Sequence, residues 1–270
     1  MIAYPSLASI LVGALFGATA AYLAFKARAL NRSGAFTAAI LGMLVFGFGG
    51  VSATLVLLTF FISSSGMSFL FKRNKVGMDD KHAKGSRRDV WQVLANGGVS
   101  GVMIVLTAIF PQDDWLWWAY CASLAAANAD TWATELGILS PIKPRIITTW
   151  KQVEMGTSGG ITPVGTLAAL LGSFLVTLVG YLAGGGSGLM LVAITLLGFA
   201  GSLVDSVLGA TVQAVYYCPT CRKETERHPL HICGTETTII RGIPWLNNDW
   251  VNGFCTFTPV IVLFILNLFD

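Results

Sequence analysis

Two acidic side chains sit where a carboxylate needs a reason to be. Asp130 lies in NADTWATELG (residues 128–137), and Asp205, followed by Ser206, lies in GSLVDSVLGATVQ (residues 201–213). Each falls about seven residues from the polar end of a long apolar run, a depth of about 10 Å on a helix. A charge inside a membrane span costs a few kcal/mol or more and normally faces a bundle interior or a wet cavity. Two carboxylates at matched depth, each beside a hydroxyl residue, point to one shared site. Near phosphates such a pair typically holds Mg²⁺ through a few oxygens plus waters; the other chemistry open to it is an ion or proton relay. On an ideal helix Asn128, Thr131 and Glu135 share one face, while Asp130 and Thr134 share an offset face. Both faces line one cavity if neighbours wrap the helix end, although packing alone also accounts for the threonines.

A glycine-rich segment, GTSGGITPVG (residues 156–165), precedes another apolar run. Gly156, Thr157, Ser158, Gly159 and Gly160 let the backbone approach a ligand closely, and the start of a helix favours an anion. No Gly-Lys-Ser/Thr follows, so this is not a Walker A loop. NRSGAFT (residues 31–37) shares its Ser-Gly-x-x-Thr pattern, which places Arg32 and Ser33 beside the same kind of helix start. In the basic stretch of residues 71–89, Lys72, Arg73 and Lys75 are nearest the membrane and are the ones assigned to phosphate. The remaining basic residues there are explained by membrane orientation and anionic headgroups.

CPTCRKETERHPLHICG (residues 218–234) carries a different signal. Cys-x2-Cys followed by a nearby His/Cys pair fits a tetrahedral structural zinc, with Cys218, Cys221, Cys233 and His231 as the expected ligands. Five cysteines, an odd number, do not form a secreted disulfide framework. In WLNNDWVNG (residues 245–253) one Asp or Asn explains a helix cap. Asn247, Asn248, Asp249 and Asn252 together exceed that need, and Asp249 and Asn252 join the expected phosphate site with Asn128 and Ser206.

The elements that position these groups follow from composition. The chain has 270 residues, 54% hydrophobic and 11% charged, with a mean hydropathy of +0.68. Soluble domains carry about 25% charged residues. The class is therefore an all-α, polytopic membrane bundle, read as a single transmembrane domain over residues 1–270. Eight spans of roughly 20 residues are expected, over residues 6–25, 33–49, 51–71, 90–110, 115–137, 162–183, 188–212 and 251–268. All 17 Lys and Arg then fall on one side. Basic loops stay cytoplasmic, so loops 72–89, 138–161 and 213–250 face the cytoplasm and both termini face outward. The cluster Trp115, Trp117, Trp118 and Tyr120 is expected as an outer aromatic belt. The first apolar run lacks a basic leader and a cleavage site, so it is not read as a removed signal peptide.

Carboxylates, a glycine-rich backbone and basic groups on one face read as phosphate and metal chemistry. The motifs NADTWATELG, GTSGGITPVGT, GSLVDSVLGATVQ, the Cys-x2-Cys loop and NNDWVN, in order from about residue 31 to residue 252, resemble the family of plant phytyl-phosphate kinase and animal transmembrane protein 19. That resemblance implies an integral membrane enzyme that phosphorylates an isoprenyl monophosphate to the diphosphate with a nucleoside triphosphate such as CTP or ATP. The chain is also distantly similar to dolichol and phytol kinases and to phosphatidate cytidylyltransferases. On this reading Asp130 and Asp205 hold Mg²⁺, and Glu135 is the candidate general base. The partners are membrane lipid and an isoprenyl phosphate, with no nucleic acid. The alternatives are a lipid-phosphate cytidylyltransferase and an ion-coupled transporter built on Asp130 and Asp205. Few polar residues occupy the outer halves of the spans, which disfavours a transport path.

Overall fold

The computed structural model describes residues 6–71 and 87–269. Lys72, Arg73 and Lys75 lie outside these described residues. Helix α1 (Leu7–Lys26) opens with a capping box between Ser6 and Ser9 and packs along α2 (Arg32–Leu70). The seam is Gly13 and Gly17, one turn apart: a Cβ on Gly13 would lie 2.9 Å from the Met43 carbonyl oxygen. Small residues at this spacing let two membrane helices approach backbone to backbone.

Helix α2 is two rods folded back on each other. A straight 39-residue helix would span about 58 Å at ~1.5 Å per residue. Yet Asn31, at its start, donates its amide to the Arg88 carbonyl (3.0 Å), and Arg88 Nη2 donates to Ser64 Oγ near its end (3.0 Å). The reversal occurs at Gly50, with φ 63° and ψ −154°, a conformation essentially reserved for glycine. The expected spans 33–49 and 51–71 meet at this same Gly49–Gly50 joint.

Helix α3 (Val90–Ile109), capped by Asp89, leads to α4 (Asp114–Gly137). Helix α4 is the axis of the fold and packs against α2, α3, α5, α6 and α7. Every residue from Leu116 to Ala129 is buried. Alanines and serine dominate this stretch, so five neighbours can close around it. Trp117, Trp118 and Tyr120 are buried here as well, with the Tyr120 hydroxyl donating to the Ala53 carbonyl at 2.5 Å. The expected outer aromatic belt is therefore overturned for these three. Gly184 and Gly186 lie against the two tryptophan rings, so the rings fill space between helices instead of meeting headgroups.

Helix α5 (Pro163–Gly184), capped by Thr162, runs antiparallel to α4; α6 (Gly188–Thr211), capped by Ser187, returns parallel to it; and α7 (Asn248–Asn267), capped by Asn247, closes the bundle. Among the described residues, six helices are long and apolar enough to cross a membrane: α1, α2, α3, α5, α6 and α7.

Two small sheets depart from the all-helical expectation. Strands β1 (Arg145–Ile146) and β2 (Gly160–Ile161) pair antiparallel around the glycine-rich segment. Strands β3 (Val215–Cys218), β4 (Lys223–Thr225) and β5 (Thr238–Arg241) form an antiparallel sheet in the order β4–β3–β5. Val215, Tyr216 and Tyr217 are strand formers bounded by turn residues, a signal too short to stand out in a polar loop.

Candidate functional site

Helices α4 and α6 run parallel and touch through small residues: a Cβ on Gly198 would lie 2.8 Å from Ala125 Cβ, and one on Gly201 2.8 Å from Ala126 Cβ. One turn further along both helices, toward their C-termini, come Asp130 and Asp205. Asp205 lies within electrostatic reach of Asp130, and Cys255 of α7 feels both carboxylates. Among the described residues neither aspartate has a hydrogen bond or ion pair to another side chain, and Asp205 Oδ2 is buried with no hydrogen-bond partner. Two adjacent half-buried carboxylates without a counter-charge are costly unless one is protonated or a cation lies between them. The donor set therefore fits a hard divalent cation.

The glycine-rich segment lies on the C-terminal end of α6. Gly159 (φ 79°) presses its backbone against Ala210, where no Cβ fits, and a Cβ on Gly209 would come 3.0 Å from the Gly159 nitrogen. The Thr157 and Gly160 amides close local turns on Glu154 and Thr157, at 3.3 and 3.0 Å. Helix α5 begins only after β2, and its Gly165 amide is taken by the Thr162 hydroxyl (3.0 Å). The segment thus precedes α5, as expected, but folds back onto α6, so its backbone packs on that helix end and not on the start of α5.

Glu226 and Gln213 hold it there through Ser158, and Arg241 grips the helix end beneath it. Ser158 Oγ donates to Glu226 Oε1 at 2.8 Å, and buried Gln213 donates Nε2 to the same oxygen at 2.7 Å. Arg241 donates Nη1 to the Ala210 carbonyl and Nη2 to the Gly209 carbonyl, both at 3.1 Å. A guanidinium fork here satisfies carbonyls that the helix end leaves open and opposes its negative pole. Asp205 also feels the charge of Glu226, which ties the carboxylate pair to this loop. A groove of about 460 Å³ opens between residues 153–158 and the β3–β4 hairpin, with Arg222, Lys223 and Glu226 on its wall.

The other polar face of α4 points elsewhere. Asp130 and Glu135 are five residues apart, roughly 140° around a helix. Glu135 turns toward α2 and accepts from Ser68 Oγ at 2.6 Å. Arg88 sits nearby over the Phe60 and Phe61 rings, its charge disfavoured by burial and supported by Glu135. Asn128 is spent between helices, accepting from Ser63 Oγ at 2.9 Å and donating to the Gly172 carbonyl at 2.8 Å. The two faces of NADTWATELG thus meet different neighbours: Asn128 and Glu135 bond to side chains of α2, while Asp130 lies toward Asp205 of α6.

The Cys218, Cys221, His231 and Cys233 ligand atoms all lie within 4.8 Å of one another. The Thr235 hydroxyl, with His231, holds the Cys233 thiol down at about 5, while hydrogen bonding to Cys233 pushes Cys221 up to about 11. Arg32 and Ser33 are exposed at the start of α2, where Ser33 Oγ donates to Asn31 Oδ1. Ser206 Oγ back-bonds to the Ser202 carbonyl at 3.3 Å.

Residues 15–260 match the family described as integral membrane protein DUF92. The chain belongs to that family. Relatives include the uncharacterized membrane protein MJ0933 of Methanocaldococcus jannaschii, 42% identical over 68% of this chain and 75% of that one. Protein PGR of Arabidopsis thaliana is 31% identical over 86% of this chain and 87% of its own length. The chloroplastic protein VTE6 of the same plant is 27% identical over 83% of this chain and 61% of its own. No solved structure is significantly similar to this chain.

Four residues of this DUF92 chain that shape the site escaped the sequence reading: Gln213, Glu226, Arg241 and Arg88. Gln213 closes the motif GSLVDSVLGATVQ but, as one polar residue at a helix end, it looks like surface. Glu226 and Arg241 act across 68 and 31 residues of sequence separation, on Ser158 and Ala210, and no local pattern encodes that.

Proposed function

We propose that this chain is a membrane-embedded kinase that transfers a phosphoryl group from a nucleoside triphosphate to an isoprenyl monophosphate of phytyl or geranylgeranyl type, giving the diphosphate. The observation that carries it is the half-buried Asp130–Asp205 pair, which has no counter-charge among the described residues. The motif resemblance to phytyl-phosphate kinase supports the substrate class. The proposed topology has eight crossings, the two arms of α2 counting separately and α4 included. Both termini lie outside, and the site faces the cytoplasm.

Asp130 and Asp205 would hold Mg²⁺. There the ion would supply positive charge against the negative charge that spreads over the phosphate during transfer. Ser158 and the Gly159 backbone position the phosphates beside the end of α6. Arg222 and Lys223 take the nucleotide in the adjacent groove. The acceptor phosphate is already anionic and needs no general base, so Glu135, engaged by Ser68, takes no proton.

The test is incubation of purified protein in detergent with Mg²⁺, γ-labelled ATP or CTP, and phytyl or geranylgeranyl monophosphate. Label in a prenyl diphosphate is expected. Pyrophosphate release with a nucleotide-linked lipid would replace the kinase by a cytidylyltransferase, and absence of any reaction would overturn both.

A further inference from the structure

The cysteine–histidine loop plays no part in the chemistry proposed above, yet it is the most organised group of ligand atoms outside it. Two turns build it. The first follows β3: the Arg222 amide donates to the Cys218 carbonyl (2.8 Å), Arg222 takes a positive φ of 53°, and the Cys221 amide points at Cys218 Sγ (3.5 Å). The second is closed by the Gly234 amide on the His231 carbonyl (2.9 Å), with Gly234 at φ 81°. The turns face each other. Cys218 Sγ lies 3.5 Å from Cys233 Sγ, and His231 Nδ1 lies 3.2 Å from Cys233 Sγ. A zinc ion with bonds of about 2.3 Å to sulfur puts its ligand atoms about 3.8 Å apart on a tetrahedron, and all four ligand atoms here lie within 4.8 Å of one another, close enough for small side-chain shifts to close on one ion. His228, the other histidine of the loop, stacks on Tyr216 with ring centroids 4.5 Å apart and is not a ligand.

We propose that Cys218, Cys221, His231 and Cys233 bind one structural zinc ion, and that this ion fixes the β3–β4–β5 sheet that seats the glycine-rich segment on α6. Strand β3 ends at Cys218, and its neighbours carry the two grips: Glu226 just after β4 holds Ser158, and Arg241 at the end of β5 holds the Gly209 and Ala210 carbonyls. A sheet of three strands of three or four residues each buries too little to hold its shape unaided. A metal closing both turns supplies that constraint, as in other small zinc modules. This ligand geometry is independent of whether the chain is a kinase.

The experiment is metal analysis of the full-length protein, purified in detergent without chelator and supplied with zinc during expression. About one zinc per chain is expected. Cys218→Ser and Cys233→Ser lose most of it, while Cys121→Ala, deep in α4, and His228→Ala keep it. Because a variant could lose zinc by misfolding, the wild-type protein is also loaded with Co²⁺. Intense visible absorption with a thiolate charge-transfer band marks a tetrahedral sulfur-rich site. Metal-free wild-type protein, a faint octahedral cobalt spectrum, a Cys218–Cys233 disulfide in the purified chain, or undiminished zinc in Cys218→Ser would each overturn the proposal.

Discussion

Asp205 stands beside Asp130, one turn C-terminal to the contact between Gly201 and Ala126, and each half-buried carboxylate lies within reach of the other's charge. Like charges so placed repel through a poorly polarisable interior, and a divalent cation converts the repulsion into ligation. Asp130→Asn and Asp205→Asn are therefore each expected to lower turnover at least about 100-fold, the scale of removing a fixed electrostatic group from a transition state. Both variants should stay monodisperse in detergent. The discriminating measurement is thermal unfolding with and without Mg²⁺: the ion raises the midpoint of the wild type and leaves the variants unmoved. Equal stabilisation of all three proteins would remove Mg²⁺ from this pair.

Gly159 tests the seat of the glycine-rich segment. Its positive φ and its contact with the Ala210 backbone leave no room for a side chain. Gly159→Ala should push the segment off α6, disturb the bonds from Ser158 and Gln213 to Glu226, and reduce activity at least about tenfold, with backbone strain of about 1–3 kcal/mol. Gly188→Ala meets open space and should leave activity and melting temperature unchanged. Equal activity in the two variants would show that the seat is irrelevant to turnover.

Asn128 divides a packing role from a ligand role. Its amide links Ser63 on α2 to the Gly172 carbonyl on α5 from inside α4. Asn128→Ala should cost about 1–2 kcal/mol of stability, the range for interhelical polar contacts and unsatisfied buried groups, while KM for the lipid phosphate stays within about twofold at low temperature. A raised KM with an unchanged melting temperature would return Asn128 to the phosphate site.

What the sequence disclosed and what it hid divide along physical lines. Asp130 and Asp205 were legible because a carboxylate in an apolar run is costly and therefore conspicuous. Gly50 was legible as a weak boundary, because a glycine pair between two apolar runs permits a reversal. The burial of Trp117, Trp118 and Tyr120 was not, since an amphipathic ring suits an interface and a core equally well until its neighbours are known. Nor was the divergence of Asp130 from Glu135: a 140° separation brings two groups to one cavity or to two, depending on how many helices surround α4. Glu226 and Arg241 were hidden most deeply, because a charged residue in a polar loop carries no signal of the distant backbone it holds.

Helix α4 decides the topology. It lies outside the six helices that hydropathy selects, because Asp114, Asn128, Asp130 and Glu135 dilute its apolar character, yet it is the most enclosed helix of the fold. A helix wrapped by five others can cross a bilayer without an apolar surface of its own, since neighbours stand in for lipid. Gln112 and Lys143 are exposed on either side of it and report on the crossing. In intact cells a membrane-impermeant maleimide should label Gln112→Cys and spare both Lys143→Cys and the wild type, whose Cys221 and Cys233 lie on the inner side of the proposed topology. Permeabilisation should expose Lys143→Cys. Labelling of both positions from outside would mean that α4 does not cross, and the inverted pattern would turn the carboxylate pair toward the outer face, away from any cytoplasmic nucleotide.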